Sequence, residues 1–184
     1  MSTALIVVDV QVDFCEGGAL GVEGGNAVAA AVARLLAGDH CYARVVATRD
    51  HHVDPGEHFS ATPDYLTSWP PHCVEGTPGA DFHAGLIASP SFEAVFDKGE
   101  YAAAYSGFEG LDGGVSLAAW LRQHGASEVE VCGIATDYCV KATALDAARL
   151  GYPTTVLLGL TAAVNPGNVP AVVAELQAAG VRVG

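Results

Sequence analysis

Four segments with the character of β-strands each lead into a residue able to do chemistry. Asp9 lies at the end of ALIVVDV, Asp50 ends ARVVATRD, Lys98 lies within EAVFDKG, and Cys139 follows EVEVCGI at the start of a predicted helix. A thiol at a helix N-terminus feels the positive end of the macrodipole, and a nearby ammonium adds to this, so both favour the thiolate nucleophile. A carboxyl closing a run of hydrophobes is desolvated, which raises its pKa and suits it to carry a proton. Asp9 fits this role better than Asp13, which lies further into a loop and is assigned to loop hydrogen bonding. The chain has only two lysines, Lys98 and Lys141, so Lys98 is not one of a solvated crowd and can hold Asp9 and Cys139 in ionised form. Backbone amides of GIATDYC could form an oxyanion hole.

A second cluster lies in the loop after Asp50. Asp50, His52, His58 and His72 have the spacing D-x-H-x₅-H-x₁₃-H. Carboxylate and imidazole ligands suit Zn²⁺, Mn²⁺ or Fe²⁺, and a set without thiolates leans away from a purely structural zinc site. His51 is the alternative ligand to its neighbour His52. Phe14, Trp69 and Tyr105 fall on loops near these groups and could sandwich a flat ring. A phosphatase-type loop at Cys73 would need Arg six residues on, where Gly79 stands, so that chemistry is excluded.

The elements that must position these residues alternate. Apolar runs of strand length read as parallel strands buried on both faces. The predicted strands are 4–10, 43–50, 93–99, 128–134 and 153–159, with a short edge strand at 181–183. Helices are predicted over 24–38 (Asn26 as N-cap, Gly38 as stop), 116–125 (capped by Ser116), from Thr136 or Asp137 to Leu150, and over 170–179. Residues 51–80 carry five prolines and little periodicity, the mark of a long functional loop. The pattern predicts an α/β fold with a doubly wound, mostly parallel sheet and helices on both faces. In such sheets ligands bind beyond the carboxyl ends of the strands, which is where the reactive residues fall.

Composition bounds the partners. Eight Lys+Arg against 21 Asp+Glu give a net charge of −13, which argues against a nucleic-acid backbone or an anionic membrane. Length and an apolar fraction of 51% predict one folded domain, 1–184. The five cysteines lie far apart with no C-x-x-C pair, and the first apolar run lacks the basic flank of a signal peptide, so a reducing cytoplasm is expected.

With these residues in view, the sequence resembles the nicotinamidase branch of the isochorismatase-like cysteine hydrolases. The matching stretches are DVQVDFCEGGAL (Asp9–Leu20), DHHVDPGEHF (Asp50–Phe59), WPPHCVEGTPGA (Trp69–Ala80), FDKG (Phe96–Gly99), YSGF (Tyr105–Phe108) and GIATDYCVKAT (Gly133–Thr143). The resemblance implies that Asp9, Lys98 and Cys139 form a catalytic triad. It makes Asp50, His52, His58 and His72 the ligands of one divalent metal ion (Zn, Fe or Mn), with Phe14, Trp69, Tyr105 and Ile134 as substrate-binding residues. It further implies a cis peptide at Ile134–Ala135 and an oxyanion hole from the amides of Ala135 and Cys139. The implied reaction is hydrolysis of nicotinamide to nicotinate and ammonia through a thioester, with pyrazinamide also accepted. The partner is then a small pyridine or pyrazine carboxamide, and the protein a monomer or small homo-oligomer. The alternative within the superfamily is another amide or N-carbamoyl hydrolase. It would keep the triad but need no metal-bound ring, and the complete metal loop and Trp69 speak against it. At position 51 the family more often has an aromatic residue than histidine.

Overall fold

The computed structural model describes residues 2–87 and 92–184. One eight-stranded sheet organises it, formed by β1 (Thr3–Val8), β2 (Arg44–Asp50), β3 (Val95–Lys98), β4 (Leu111–Asp112), β5 (Val115–Ser116), β6 (Glu128–Ile134), β7 (Thr154–Ala162) and β8 (Arg182–Val183), in the order β5-β4-β3-β2-β1-β6-β7-β8. All pairings are parallel except the β3-β4 and β4-β5 contacts at one edge. Helix α1 (Gly25–Ala37) and the short α2 (Ala84–Ile87) lie on one face. Helices α3 (Leu117–Gln123), α4 (Lys141–Arg149) and α5 (Val169–Ala178) lie on the other.

The central strands are apolar on both sides because both sides are covered. Along β1, Leu5 and Val7 pack with Val28, Ala29, Val32 and Leu36 of α1. Ala4, Ile6 and Val8 pack with Leu117, Ala144 and Leu176 from the opposite helices. Winding runs outward from β1 in both directions, so the strand order reverses between β1 and β6. That switch point opens a crevice at the carboxyl ends of these two strands. Gly133 allows the two to stay close there. Its φ is +115°, and a Cβ at this position would meet the Val8 carbonyl oxygen at 2.0 Å.

The predicted central strands and main helices are present, with edges that differ. The antiparallel β4-β5 hairpin was not predicted, because two-residue strands carry no readable periodicity. β7 runs to Ala162 rather than stopping at Gly159, and a register shift lies where it pairs with β6 between Val131 and Gly133. Two predicted caps are replaced. Gly24 in left-handed conformation precedes α1 without a side-chain cap. The amides of Gly24 and Asn26 donate instead to the Glu16 carboxylate, at 2.7 and 2.6 Å. Neither Thr136 nor Asp137 caps α4, because a π-type turn over Thr136–Val140 comes first. Asp137 accepts from the amides of Val164 and Asn165 at 2.9 and 3.0 Å, tying this turn to the segment after β7. Ser116 caps α3 as predicted, accepting from Ala119 N.

No helix among the described residues is long and apolar enough to cross a membrane. All five cysteines are unpaired, and all but Cys41 are buried.

Candidate functional site

Sheet order converts distance in sequence into neighbourhood in space. Lys98 and Asp50 are the last residues of β3 and β2, and they pair in register. Asp9 follows β1 immediately, and Cys139 lies in the π-type turn after β6. The four residues therefore stand in a row across four adjacent strand ends. β3 and β1 are two strand spacings apart, about 10 Å, a span that a fully extended lysine and an aspartate close together.

The contacts follow. Lys98 Nζ is 2.9 Å from Asp9 Oδ2, forms an ion pair with Asp50 Oδ1, and lies 3.6 Å from Cys139 Sγ. Thr48 Oγ1 donates to Asp9 Oδ1 at 2.6 Å. The Cys139 sulfur lies within 4.8 Å of a carboxylate oxygen on each of Asp9 and Asp50. Asp9, Thr48, Asp50, Lys98 and Cys139 are all buried.

Burial governs the ionisation. It raises the Asp9 carboxyl, and the neighbouring Lys98 opposes this without cancelling it. Asp50 feels the same burial, but Lys98 and the histidines beside it hold its carboxyl well below the ordinary range. Burial works against the charged form of Lys98, yet Asp50 and Asp9 together keep its pKa well above that of a free lysine. Cys139 differs from the sequence expectation of a resting thiolate. Burial pushes its thiol well up, and Lys98 only partly offsets this, with Asp9 and Asp50 acting in the same direction as burial. Burial thus favours the protonated form of the sulfur beside the Asp9 carboxyl. Asp9 Oδ2 has no aligned hydrogen-bond partner among the described residues, which suits it to receive the thiol proton.

Beside this row, His52, His58 and His72 bring ring nitrogens within 4.8 Å of one another, all buried. His52 Nδ1 bonds the Gly99 carbonyl at 2.6 Å, and His72 Nδ1 bonds the Pro70 carbonyl at 2.8 Å. A carbonyl only accepts, so each Nδ1 carries a proton, which leaves Nε2 as the atom of each ring that could bind a metal. Those two Nε2 atoms face Asp50 Oδ2 at 3.6 and 3.7 Å. Burial, helped by the other two histidines, lowers the His58 pKa to about 4, so this ring is neutral near pH 7. His52 Nε2 and His58 Nδ1 have no hydrogen-bond partner among the described residues. Three clustered, buried imidazoles beside a carboxylate oxygen suit a divalent cation. Gly99 keeps this arrangement tight, since a Cβ there (φ +80°) would meet His52 Cε1 at 2.6 Å. His51 faces elsewhere, 3.5 Å from Glu75 and 3.6 Å from Asp97, while its neighbour His52 is the one that joins the cluster. Asp13 accepts from the amides of Ala19 and Cys73 at 3.1 and 2.7 Å, the loop role expected of it. Adding Zn²⁺ to metal-free protein at about 100 times the dissociation constant should raise the melting temperature by roughly 5–10 °C. Differential scanning fluorimetry with and without chelator measures this, and His58→Ala should blunt the shift.

The sulfur and the histidine cluster open onto one cavity of about 410 Å³, including its mouth. Phe14, Trp69, Tyr105 and Ile134 line it, as does Ala135, and the Ile134–Ala135 peptide is cis. Trp69 Nε1 donates to the Tyr105 hydroxyl at 3.1 Å, which holds the two rings as one wall. The sequence reading missed five lining residues, Leu20, Val22, Ala104, Tyr138 and Val164. Tyr138 packs edge-on to Trp69, with ring centroids 5.0 Å apart. Its place next to Cys139 was a usable signal. Val164 was hidden because β7 ends three residues later than expected, which moves its strand-end loop.

The isochorismatase domain family matches residues 3–184 of this chain. The chain is 58% identical over 180 residues to a nicotinamidase/pyrazinamidase of Mycobacterium tuberculosis, covering 97% of this chain and 96% of that protein. Among solved structures it is similar to L. infantum PnC1 in complex with nicotinate, at 40% identity and a TM-score of 0.88, covering 100% of this chain and 92% of the other. It is also similar to the pyrazinamidase of Pyrococcus horikoshii in complex with zinc, at 36% identity and a TM-score of 0.84, covering 100% and 99%.

Proposed function

This chain belongs to the isochorismatase family, and from that premise we propose that it is an amidohydrolase converting nicotinamide to nicotinate and ammonia, with pyrazinamide accepted in the same cavity. One observation carries the reading: a thiol, a carboxylate and an ammonium in mutual contact, beside a cation site, at the floor of an aromatic cavity. The names of the relatives support the substrate. An N-carbamoyl hydrolase would have no use for the His52–His58–His72 cluster.

The roles follow from the geometry. The Phe14 and Trp69 rings hold a flat heteroaromatic ring, and the Tyr105 and Tyr138 rings close the wall. Asp50, His52, His58 and His72 would hold a divalent ion, which would supply Lewis-acid chemistry for orienting the ring. Asp9 takes the thiol proton, and Cys139 Sγ attacks the carboxamide carbon. The developing oxyanion accepts hydrogen bonds from the amides of Ala135 and Cys139. Asp9 returns the proton to the nitrogen as ammonia leaves, which forms the thioester. Water, deprotonated by Asp9, then attacks the thioester carbon and frees nicotinate and the thiol. Lys98 balances Asp9 and Asp50 throughout, so that a proton shuttles in a water-poor site without leaving two naked carboxylates. The partner is a small pyridine or pyrazine carboxamide, and the protein acts as a monomer or small homo-oligomer. Five unpaired thiols fit a cytoplasmic enzyme.

Ammonia release from nicotinamide and pyrazinamide by the Zn²⁺-loaded protein tests the assignment. Turnover of both is expected. Absence of turnover on either, with an N-carbamoyl compound hydrolysed instead, would replace it.

A further inference from the structure

Gln11 has no part in the reading above, yet it is fully buried at the switch point. β1 and β2 pair regularly from Ala4↔Arg44 to Val8↔Thr48. The last rung is the Asp9 amide donating to the Thr48 carbonyl at 3.1 Å. At Asp9 the chain turns through a positive φ of 49° and leaves β2. This divergence frees the Asp9 carboxylate to face the sulfur. It also removes the strand that would have paired with Asp50 two residues on. Asp50 is buried there, and unpaired backbone groups at such a position would be costly.

The Gln11 side chain takes the place of that missing strand. Its Oε1 accepts from Asp50 N at 2.8 Å, and its Nε2 donates to Asp50 O at 2.8 Å. The second Nε2 proton goes to the Ala80 carbonyl at 2.9 Å. A primary amide has the same donor and acceptor pair as a peptide unit, so it completes one further rung of the parallel ladder. On the other side, the His51 amide donates to the Lys98 carbonyl at 2.9 Å, which continues the pairing of β2 with β3. The backbone around Asp50 is thereby held from both sides.

We propose that Gln11 is the positioning residue for Asp50, and through it for both halves of the site. This rests on the amidohydrolase reading. The Asp50 carboxylate is shared: Oδ1 holds Lys98 and Oδ2 faces His52 and His72. A small rotation of the Asp50 backbone would displace the ammonium from Asp9 and Cys139, and a ligand oxygen from the cation, at the same time. Gln11 itself touches neither the cation site nor the cavity. Its effect on both is carried by hydrogen bonds to the main chain.

Two substitutions test this. Gln11→Glu sets carboxylate oxygens against the Asp50 and Ala80 carbonyls. Gln11→Met keeps the volume and removes the rung. Zn²⁺ affinity of the metal-free proteins is measured by competition with a chromophoric chelator, at a temperature where circular dichroism shows each folded. Ammonia release is measured on the Zn²⁺-saturated forms. Leu36→Ala in α1, a buried residue that does not line the cavity, controls for a general loss of stability. Both Gln11 variants should lose about 10- to 100-fold in Zn²⁺ affinity and lose kcat more than KM, while Leu36→Ala keeps wild-type affinity. If one Gln11 variant does not fold, the other decides alone. Gln11 variants that melt lower but bind Zn²⁺ within twofold of wild type and keep kcat would overturn the proposal. A wild type that binds Zn²⁺ but releases no ammonia would overturn the amidohydrolase reading instead, and the Zn²⁺ affinities would still decide the role of Gln11.

Discussion

Cys139→Ala should lower kcat for ammonia release from nicotinamide by at least roughly 10⁴-fold, because residues that act as one catalytic unit lose most of their effect when any member is removed. Fold and Zn²⁺ binding should stay close to wild type. The sulfur lies 3.6 Å from Lys98 Nζ and is in contact with the floor of the cavity, but it is not among the three clustered imidazoles. The measurement is single-turnover ammonia release with Zn²⁺ content determined on the same samples. The outcome separates two chemistries. In a metallohydrolase the nucleophile would be a metal-bound water, so the alanine variant would keep its rate and chelation alone would abolish it. A fully metallated Cys139→Ala enzyme with undiminished turnover would therefore remove the thioester route. Because burial favours the protonated sulfur, the same reasoning makes Asp9→Asn nearly as damaging. An amide side chain cannot take the proton on which attack depends.

The largest effect on stability is expected at Lys98. Lys98→Met leaves the shape of the site and removes the ammonium that pairs with both the Asp9 and Asp50 carboxylates. Breaking a buried ion pair from one side costs about 3–5 kcal/mol, since the partner charge stays desolvated. For a chain of this length that is a fall of roughly 6–20 °C in melting temperature. The experiment is thermal unfolding of metal-free wild type, Lys98→Met and the double variant Lys98→Met/Asp9→Asn. The double variant should regain a substantial part of the loss, because one of the two uncompensated carboxylates is then gone. An equal loss in both variants would mean that Lys98 acts through packing of its methylenes rather than through charge. Lys98→Arg should not restore activity, because a planar, branched guanidinium does not fit a slot built for a linear chain ending in a point charge.

Some local features could be read directly. β6 was expected over Glu128–Ile134 and lies there, because the Glu-Val alternation that opens it has the two-residue period of a strand. Ser116 as a cap is equally local. Asn26 and Asp137 were misread for one common reason. Each is a good capping residue by type, but Glu16 reaches the α1 terminus from another loop, and Asp137 is drawn to amides from beyond β7. Capping preference is worth about 1 kcal/mol, so a tertiary partner easily displaces it.

By itself the chain order of apolar runs, glycines and polar strand ends determined that the sheet would be mostly parallel. It also determined that Asp9, Asp50, Lys98 and Cys139 would all lie at carboxyl ends of strands. Only the tertiary structure decided that these ends stand side by side in the order β3-β2-β1-β6, that His52 rather than His51 faces inward, and that burial works against the Cys139 thiolate. The physical reason is that a strand's period and polarity are local properties of the chain. Neighbourhood, side-chain direction at a divergence, and the dielectric around a charge depend on which segments close over it.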